Sequence, residues 1–235
     1  NTSDVESVKI SSKGNAIKFG SIHKPISSLP GFSNDTRAIY GGGILRPGAT
    51  SNIYIFNMFT QGESSFFGDL TQARYEFAGS CSQTRGVFAG GQTPASPYPS
   101  VNTMDFVTMA STGDATDFGD LTAGRNSLGQ VASSVRGAWG GGNTGGAFTN
   151  VIDYVTIAST GNAQDFGDLT VSRQCAQSGN SNSTRGLFCG GSSPSETNTI
   201  DFITIASTGN ATDYGDLDAA LDHVAGASNG HGGLS

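Results

Sequence analysis

Three arginines recur at nearly constant spacing, at Arg74, Arg125 and Arg173. A guanidinium group binds carboxylates and phosphates through paired hydrogen bonds, so three of them at the mouth of a repeated structure could hold an anionic ligand. They could instead pair with carboxylates of the repeat and hold neighbouring units together. The candidate carboxylates are Asp120, Asp168 and Asp216. Because the arginines recur together with the framework, the sequence favours the structural pairing over the ligand.

Clustered aspartates raise the question of a calcium site, because Ca²⁺ takes several oxygen ligands from closely spaced residues. The clusters are Asp114, Asp117 and Asp120 in one copy of the repeat and Asp165 and Asp168 in the next. Asp114 falls in a predicted turn and Asp117 on a predicted strand, and the spacing of an EF-hand is missing. The sequence therefore predicts no metal site and no cofactor.

Residues suited to covalent or acid–base catalysis do not form a recognisable set. The histidines are His23, His223 and His231, all near the ends of the chain. No serine stands in a nucleophile-elbow context, and repeated framework aspartates do not define an acid–base pair. The cysteines are Cys81, Cys175 and Cys189, at non-equivalent places in the repeat. A disulfide framework would recur with the repeat, so they are predicted to be buried small residues, and a single incidental disulfide stays open at this point. With no catalytic set in the sequence, the protein is predicted not to be an enzyme.

Four loops vary in sequence while the segments around them do not. They cover residues 43–52, 91–102, 142–150 and 191–198. Variable loops on a constant framework commonly form binding surfaces. The side chains best able to anchor a ligand there are Arg46, Tyr98 and Phe148. Drift in exposed loops would produce the same variation, so both interpretations remain open at this point.

A repeat of about 48 residues positions all of these side chains. Its turn glycine falls at Gly14, Gly62, Gly113, Gly161 and Gly209, with spacings of 48, 51, 48 and 48 residues. The arginine that opens the other half of each copy recurs at Arg37, Arg85, Arg136 and Arg185. Four copies are complete, and a fifth is divided between the two ends of the chain. Such regular self-similarity is typical of solenoids and propellers.

Each copy predicts four short strands. In the copy containing Arg185 these are a small-residue strand before that arginine, an apolar strand after it that ends in Gly-Gly, a longer strand from Thr199 to Ala206, and a short aromatic strand from Thr212 to Leu217. Gly209 lies in a hairpin turn between the last two strands, where a positive φ is needed. Four strands in this period indicate one blade of a β-propeller.

Composition agrees with an all-β fold and narrows the set of partners. Glycine accounts for 35 of 235 residues and only 13% of the residues are charged, which suits many turns between short strands. The net charge of −7 disfavours binding to nucleic acid or to anionic lipid, because both would be repelled. No apolar run approaches the ~18 residues of a membrane span.

The residues also resemble a known repeat. Gly90-Gly91 ends an apolar strand, Phe118 and Leu121 follow a longer one, and Arg125 opens the next copy, an order similar to that of the kelch repeat. The chain departs from kelch in having Phe or Tyr where Trp is usual. A nearly uniform phrase with the consensus ASTGNATDFGDL occurs at residues 110–121, 158–169 and 206–217. This uniform phrase resembles kelch-like repeats in tail-fibre and other virion proteins of bacteriophages. The resemblance also suggests a copper site like that of galactose oxidase, which uses histidines and a tyrosine crosslinked to a cysteine. The three histidines near the chain ends, and the absence of Cys and Tyr positions suited to that crosslink, argue against such a site.

These observations predict an all-β fold: one domain over residues 1–235, a five-bladed propeller of four-stranded antiparallel blades. The repeat units are approximately 1–35 with 222–235, 36–83, 84–134, 135–183 and 184–221. The first strands and the last residues would form one composite blade that closes the ring without free edges. Its outer pair is predicted at residues 5–10 and 17–22, and its inner pair at 223–228 and 233–234.

The predicted function is that of a non-enzymatic structural or binding module. The resemblance implies a virion component, displayed in several copies, whose partners are other virion proteins or a glycan or protein on a host surface. Two alternatives remain: a carbohydrate-binding, lectin-like propeller with pockets between blades, and an intracellular kelch adaptor that binds a protein through its loops. The corresponding locations are the virion, the extracellular space and the cytoplasm.

Overall fold

The protein is all-β. The computed structural model describes residues 3–9, 11–175 and 178–226, and within these ranges it contains strands, turns and loops but no helix. Accordingly, no described helix is long or apolar enough to cross a membrane. The prediction of an all-β chain is confirmed.

Four antiparallel sheets follow one another along the chain, and each has its four strands in sequence order. Sheet 1 comprises Gly31–Ser33, Arg37–Gly41, Asn52–Asn57 and Ser65–Asp69. Sheet 2 comprises Ala78–Cys81, Arg85–Ala89, Thr103–Thr108 and Thr116–Asp120. Sheet 3 comprises Gly129–Ala132, Arg136–Gly140, Val151–Thr156 and Gln164–Asp168. Sheet 4 comprises Asn180–Ser181, Arg185–Cys189, Thr199–Thr204 and Thr212–Asp216.

An N-terminal hairpin precedes the four sheets. It pairs Asp4–Ser7 with Ile17–Ser21, and the second strand lies parallel to the short strand Gly62–Glu63 of the next copy. This hairpin agrees with the predicted outer pair of the composite blade. Of the predicted inner pair, residues 227–228 and 233–234 lie outside the described residues, and residues 223–226 are described but form no strand. Two short hairpins lie in loops, namely Ile44–Leu45 with Gly48–Ala49 and Ser192–Ser193 with Ser195–Glu196.

The sheets pack face to face in series, and each interface contains its own apolar cluster. Ile39 and Phe67 of sheet 1 pack with Phe88 and Val107 of sheet 2. The next cluster joins sheets 2 and 3 around the fully buried Trp139, and another joins sheets 3 and 4. A fourth cluster joins the N-terminal hairpin to sheet 1. Burial of apolar side chains on these faces is therefore what holds consecutive copies together.

The Gly-Gly pair that ends each second strand brings neighbouring sheets together. Gly90 and Gly91 have φ values of 71° and 107°, a region that favours glycine. The N–H of Gly91 donates to the carbonyl of Arg125, which precedes sheet 3, at 2.8 Å. A Cβ on Gly90 would lie 2.5 Å from the same carbonyl oxygen. Only glycine therefore fits this approach.

A chain of backbone hydrogen bonds runs from copy to copy just before the first strand of each sheet. The N–H of Glu76 donates to Ser28 O at 3.2 Å, that of Ser127 to Glu76 O at 2.8 Å, and that of Cys175 to Ser127 O at 2.9 Å. The first strands are adjacent in the same order, and small residues there permit the close approach. We call Ser28, Glu76, Ser127 and Cys175, each taken with the residue before it, the linking positions.

The uniform phrase of the repeat forms the contact between the outer strands of neighbouring sheets. Gly161 and Ala163 of sheet 3 donate backbone hydrogen bonds to Phe118 O and Asp120 O of sheet 2, at 2.7 and 2.8 Å. The Oδ1 atom of Asn162 accepts a third bond from the N–H of Asp120 at 3.1 Å. Equivalent bonds join sheets 1 and 2 and sheets 3 and 4. The phrase thus has a structural role that its sequence alone did not reveal.

Candidate functional site

The three recurring arginines lie in the interior, where each forms an ion pair with a buried aspartate. Arg74 Nη1 lies 2.9 Å from Asp105 Oδ2, and both side chains are 0% exposed. The other two pairs are Arg125 with Asp153, at 2.6 Å, and Arg173 with Asp201, at 2.9 Å. The predicted partners Asp120, Asp168 and Asp216 were wrong. Those aspartates belong to the outer strands, whereas the observed partners belong to the third strands.

Each aspartate is held by a threonine as well as by the arginine. At Asp153, the hydroxyl of Thr122 donates to Oδ1 at 2.7 Å and the N–H of Thr122 donates to Oδ2 at 3.1 Å. Arg125 adds hydrogen bonds to Gly141 O at 3.0 Å and Val151 O at 2.6 Å. A buried carboxylate is tolerated only when such partners replace water, and the carboxylate of Asp153 has them. Among the described residues, the Nε atom of Arg125 has no hydrogen-bond partner.

The arginines join consecutive sheets. The carbonyl of Arg125 accepts the N–H of Gly91 in sheet 2, while its guanidinium pairs with Asp153 in sheet 3. Burial lowers the pKa of Arg74 and Arg125, and the paired aspartates raise it again in part. With no exposed guanidinium surface, the three arginines form structural links and present nothing to an anion in solvent. The structure thus favours the structural interpretation over the anion site.

Sheet 1 lacks this network, and both members of the pair are replaced together. Ile26 occupies the arginine position, and Tyr54, opposite Tyr40 in the sheet register, occupies the aspartate position. Both belong to an apolar cluster with Tyr40 and Phe56. Burial raises the pKa of Tyr40 to about 12. The joint replacement indicates that the two positions function as a pair, because neither charge occurs there without the other.

Sequence reasoning missed the partner aspartates, although a signal was present. Asp105, Asp153 and Asp201 are each the only charged residue within an apolar third strand. A carboxylate in such a strand requires a buried cation or several donors, since an unpaired buried charge is costly. The buried cation is the arginine that lies 28 positions earlier for Asp153 and Asp201 and 31 positions earlier for Asp105.

The three loop residues lie on separate loops of one edge of the array. Arg46 is exposed, Tyr98 is 53% exposed with φ of 63°, and Phe148 is half-buried. Positive φ is unusual for a bulky residue and recurs at functional sites. Neighbouring loops touch where the hydroxyl of Ser100 donates to Asn143 O at 3.3 Å.

Each of the four loops is fixed to one of the linking positions in the same way. Bridges pair Ser27 with Ile44, Tyr75 with Gln92, Asn126 with Asn143 and Gln174 with Ser192. The second residue of every loop is thus held by the framework, and the rest of the loop varies beyond it. This edge carries four different loops on four equivalent supports.

The aspartate clusters serve the backbone. Asp114 Oδ1 accepts the N–H of Asp69 at 3.0 Å, and Asp165 Oδ1 accepts the N–H of Gly167, also at 3.0 Å. Within the described ranges, no group of three or more potential metal ligands comes together. Cys81, Cys175 and Cys189 are free thiols, and burial raises the pKa of Cys81 to about 12 and that of Cys175 to about 11.

A second set of arginines lies nearer the rim of the sheets. The Nη1 atom of Arg136 in sheet 3 donates to Ile205 O of sheet 4 at 3.1 Å, and its guanidinium carbon lies 4.7 Å from the centre of the Tyr154 ring. Arg85 makes the equivalent contacts with Ile157 O, at 3.2 Å, and with Phe106, at 4.2 Å. Unlike the inner arginines, both are partly exposed.

Comparison with known proteins adds no family to this description. No protein-family model matches the chain, and no curated protein is significantly similar to it. What the chain does must therefore be argued from the sites themselves.

Proposed function

We propose that the chain is a non-enzymatic binding and structural module, a five-bladed propeller of kelch-like repeats that forms part of a bacteriophage virion. The observation that carries the binding role is the loop-bearing edge, where four different loops rise from four equivalent supports. The charged residues of the inner network are occupied in joining sheets, which leaves the loops as the variable surface. Its partners would be other virion proteins or a glycan or protein on a host surface.

Ring closure would join two halves of the contact between outer strands that do not meet in the structure. Gly167 approaches Gly209 of the following sheet so closely that a Cβ would lie 2.5 Å from it. Gly215, the equivalent residue of sheet 4, has φ of 138° like its counterparts but no atom within 4 Å of that position. Gly14, in the N-terminal turn Gly14-Asn15-Ala16, is the sequence counterpart of Gly209, and a Cβ built on either glycine meets no atom within 4 Å. Gly215 and Asp216 correspond to one side of the contact between sheets 3 and 4, and Gly14-Asn15-Ala16 corresponds to the other side.

A cysteine pair tests the closure. Asn15→Cys with Asp216→Cys is expected to form a disulfide within one chain, because these positions correspond to Asn210 and Asp168, which are in contact between sheets 3 and 4. The measurement is mobility on a non-reducing gel, with the two single-cysteine variants run beside it. Asp168→Cys with Asn210→Cys is the positive control. Dimers, or no bond where the control pair forms one, would contradict the five-bladed ring.

Tyr98 provides the test of the loop-bearing edge. Tyr98→Ala is expected to weaken binding of the purified protein on a glycan array at least about tenfold, because an exposed aromatic ring supplies apolar contact area to a sugar. Exposed Val135, which lies outside the four loops, is the matched control, and Val135→Ala should bind as the unaltered protein does. A blank array with the unaltered protein would exclude the lectin-like alternative and favour a protein ligand.

The virion setting has its own test. Purified particles of a phage whose genome encodes this chain should release it on dissociation in a fixed ratio to the other structural proteins, measured by mass spectrometry. Its absence from the particles would rule out the virion assignment and favour the intracellular adaptor that binds a protein through the same loops.

A further inference from the structure

The rim of sheet 3 contains a polar notch of about 270 Å³ around Arg136. Its other polar lining residues are Tyr154, Thr156, Ser159, Thr160, Asn162 and Gln164. The phenol of Tyr154 donates to Gln164 Oε1 at 2.8 Å, which leaves the amide NH₂ of Gln164 as a further donor. Hydroxyl and amide groups therefore surround a guanidinium group.

Arg136 is held in place before any ligand arrives. The Tyr154 ring lies on one side of its guanidinium plane, and one nitrogen is fixed by the carbonyl of Ile205. The side chain is still partly exposed, so its remaining N–H donors reach the notch. A planar cation fixed in this way loses little entropy when it binds a carboxylate.

The notch of sheet 3 differs from its counterpart in sheet 1 by one charge. The sheet 1 notch, of about 280 Å³, is lined by Arg37 and also by Glu63. Asn162 occupies the Glu63 position in sheet 3, and none of the residues lining that notch is acidic. Asp114 occupies the same position in sheet 2. The cation in sheet 3 therefore lacks the carboxylate that accompanies it in the first two copies.

We propose that this notch binds the carboxylate of an acidic saccharide. Arg136 would pair with the carboxylate, and the hydroxyls and amides around it would take the sugar hydroxyls. On a protein with a net charge of −7, such a site would act at short range through these contacts rather than by long-range attraction. The inference rests on the proposed binding function and gives it a ligand class and a second surface.

Titration of the folded, full-length protein with glucuronic acid and with glucose, followed by NMR or calorimetry, tests the site. Glucuronic acid should bind and glucose should not. Arg136→Gln should weaken glucuronic acid at least about tenfold, because it removes a charge-assisted hydrogen bond. Asn162→Asp should also weaken it, by restoring the missing carboxylate. This variant should fold normally, since Asp114 already accepts the equivalent backbone bond at 3.0 Å.

Arg85→Gln is the matched control, because Arg85 has the same contacts in the copy that carries Asp114, and it should leave the affinity unchanged. Equal binding of glucose, or glucuronic acid binding that survives both Arg136→Gln and Asn162→Asp, would overturn the proposal. If glucuronic acid fails to bind while Tyr98-dependent binding persists, the notch assignment is wrong and the loop-bearing edge stands. If glucuronic acid binds in the titration but Tyr98→Ala leaves binding on the glycan array unchanged, the result would support the notch and reject the loops.

Discussion

Asp153→Ala is expected to lower the free energy of unfolding by about 3–5 kcal/mol, which is a large part of the stability of an ordinary domain. The substitution leaves the guanidinium of Arg125 buried at 1% exposure without its counterion, and it removes the acceptor of both Thr122 hydrogen bonds. Urea unfolding followed by circular dichroism measures the loss. Asp117→Ala on the exposed outer strand of sheet 2 is the matched control, expected to change stability by less than about 0.5 kcal/mol.

A double substitution separates the burial of an unpaired charge from the loss of a contact. Arg125→Met with Asp153→Leu removes both charges, and it is expected to recover at least half of the loss, since apolar side chains of similar volume often replace buried ion pairs at little cost. Sheet 1 already has apolar and aromatic residues at both positions, in Ile26 and Tyr54. A double variant no more stable than Asp153→Ala alone would show that the pair contributes through its geometry rather than through charge compensation.

The fold class could be predicted because the information for it is local. The strand-forming runs, the Gly-Gly pairs that end the second strands and the turn glycines equivalent to Gly209 recur along the sequence. Each of these signals determines the structure of the residues next to it in the chain. The strand predicted from Thr199 to Ala206 is observed over Thr199–Thr204, a difference confined to its end. Local signals therefore placed the strands well and fixed the order of strands within each sheet.

The partner of each buried arginine could not be read from the repeat. Asp120 is close to Arg125 in sequence and recurs with it, but it belongs to an outer strand, whereas Asp153 lies three strands further along the chain. Only the antiparallel register and the close approach at Gly141 bring that aspartate and the guanidinium together. Distance along a chain is a poor guide to pairing in sheets that pack in series.

The uniform phrase illustrates the same limit for contacts between sheets. The hairpin turn predicted at Gly209 has its equivalent at Gly161 and Asn162, which lie in the loop between two paired strands of sheet 3. Their second role, the hydrogen bonds to the outer strand of the preceding sheet, depends on how copies pack and leaves no mark in the local pattern. A phrase repeated with little change therefore indicates an interface as much as a turn.

Trp139→Ala is expected to destabilise the protein by about 3–5 kcal/mol, because the indole is fully buried between sheets 2 and 3 and the two sheets cannot close over the space it leaves. Trp139→Phe should cost less than about 1.5 kcal/mol. Phe88 and Phe188 occupy the equivalent position, opposite the third-strand aspartate in sheets 2 and 4. Among the described residues, the indole Nε1 has no hydrogen-bond partner, so phenylalanine also removes a buried unsatisfied donor.

Thermal and urea unfolding of the two Trp139 variants would show whether the packing between copies is the main source of stability. If sheets 2 and 3 were held chiefly by the hydrogen bonds of the uniform phrase, Trp139→Ala and Trp139→Phe would differ little, because neither touches those bonds. A large difference, with a single cooperative transition in both variants, would place the stabilising energy in the apolar cluster. It would also indicate that the copies unfold together, since in repeat proteins each copy gains its stability from the neighbours on which it packs.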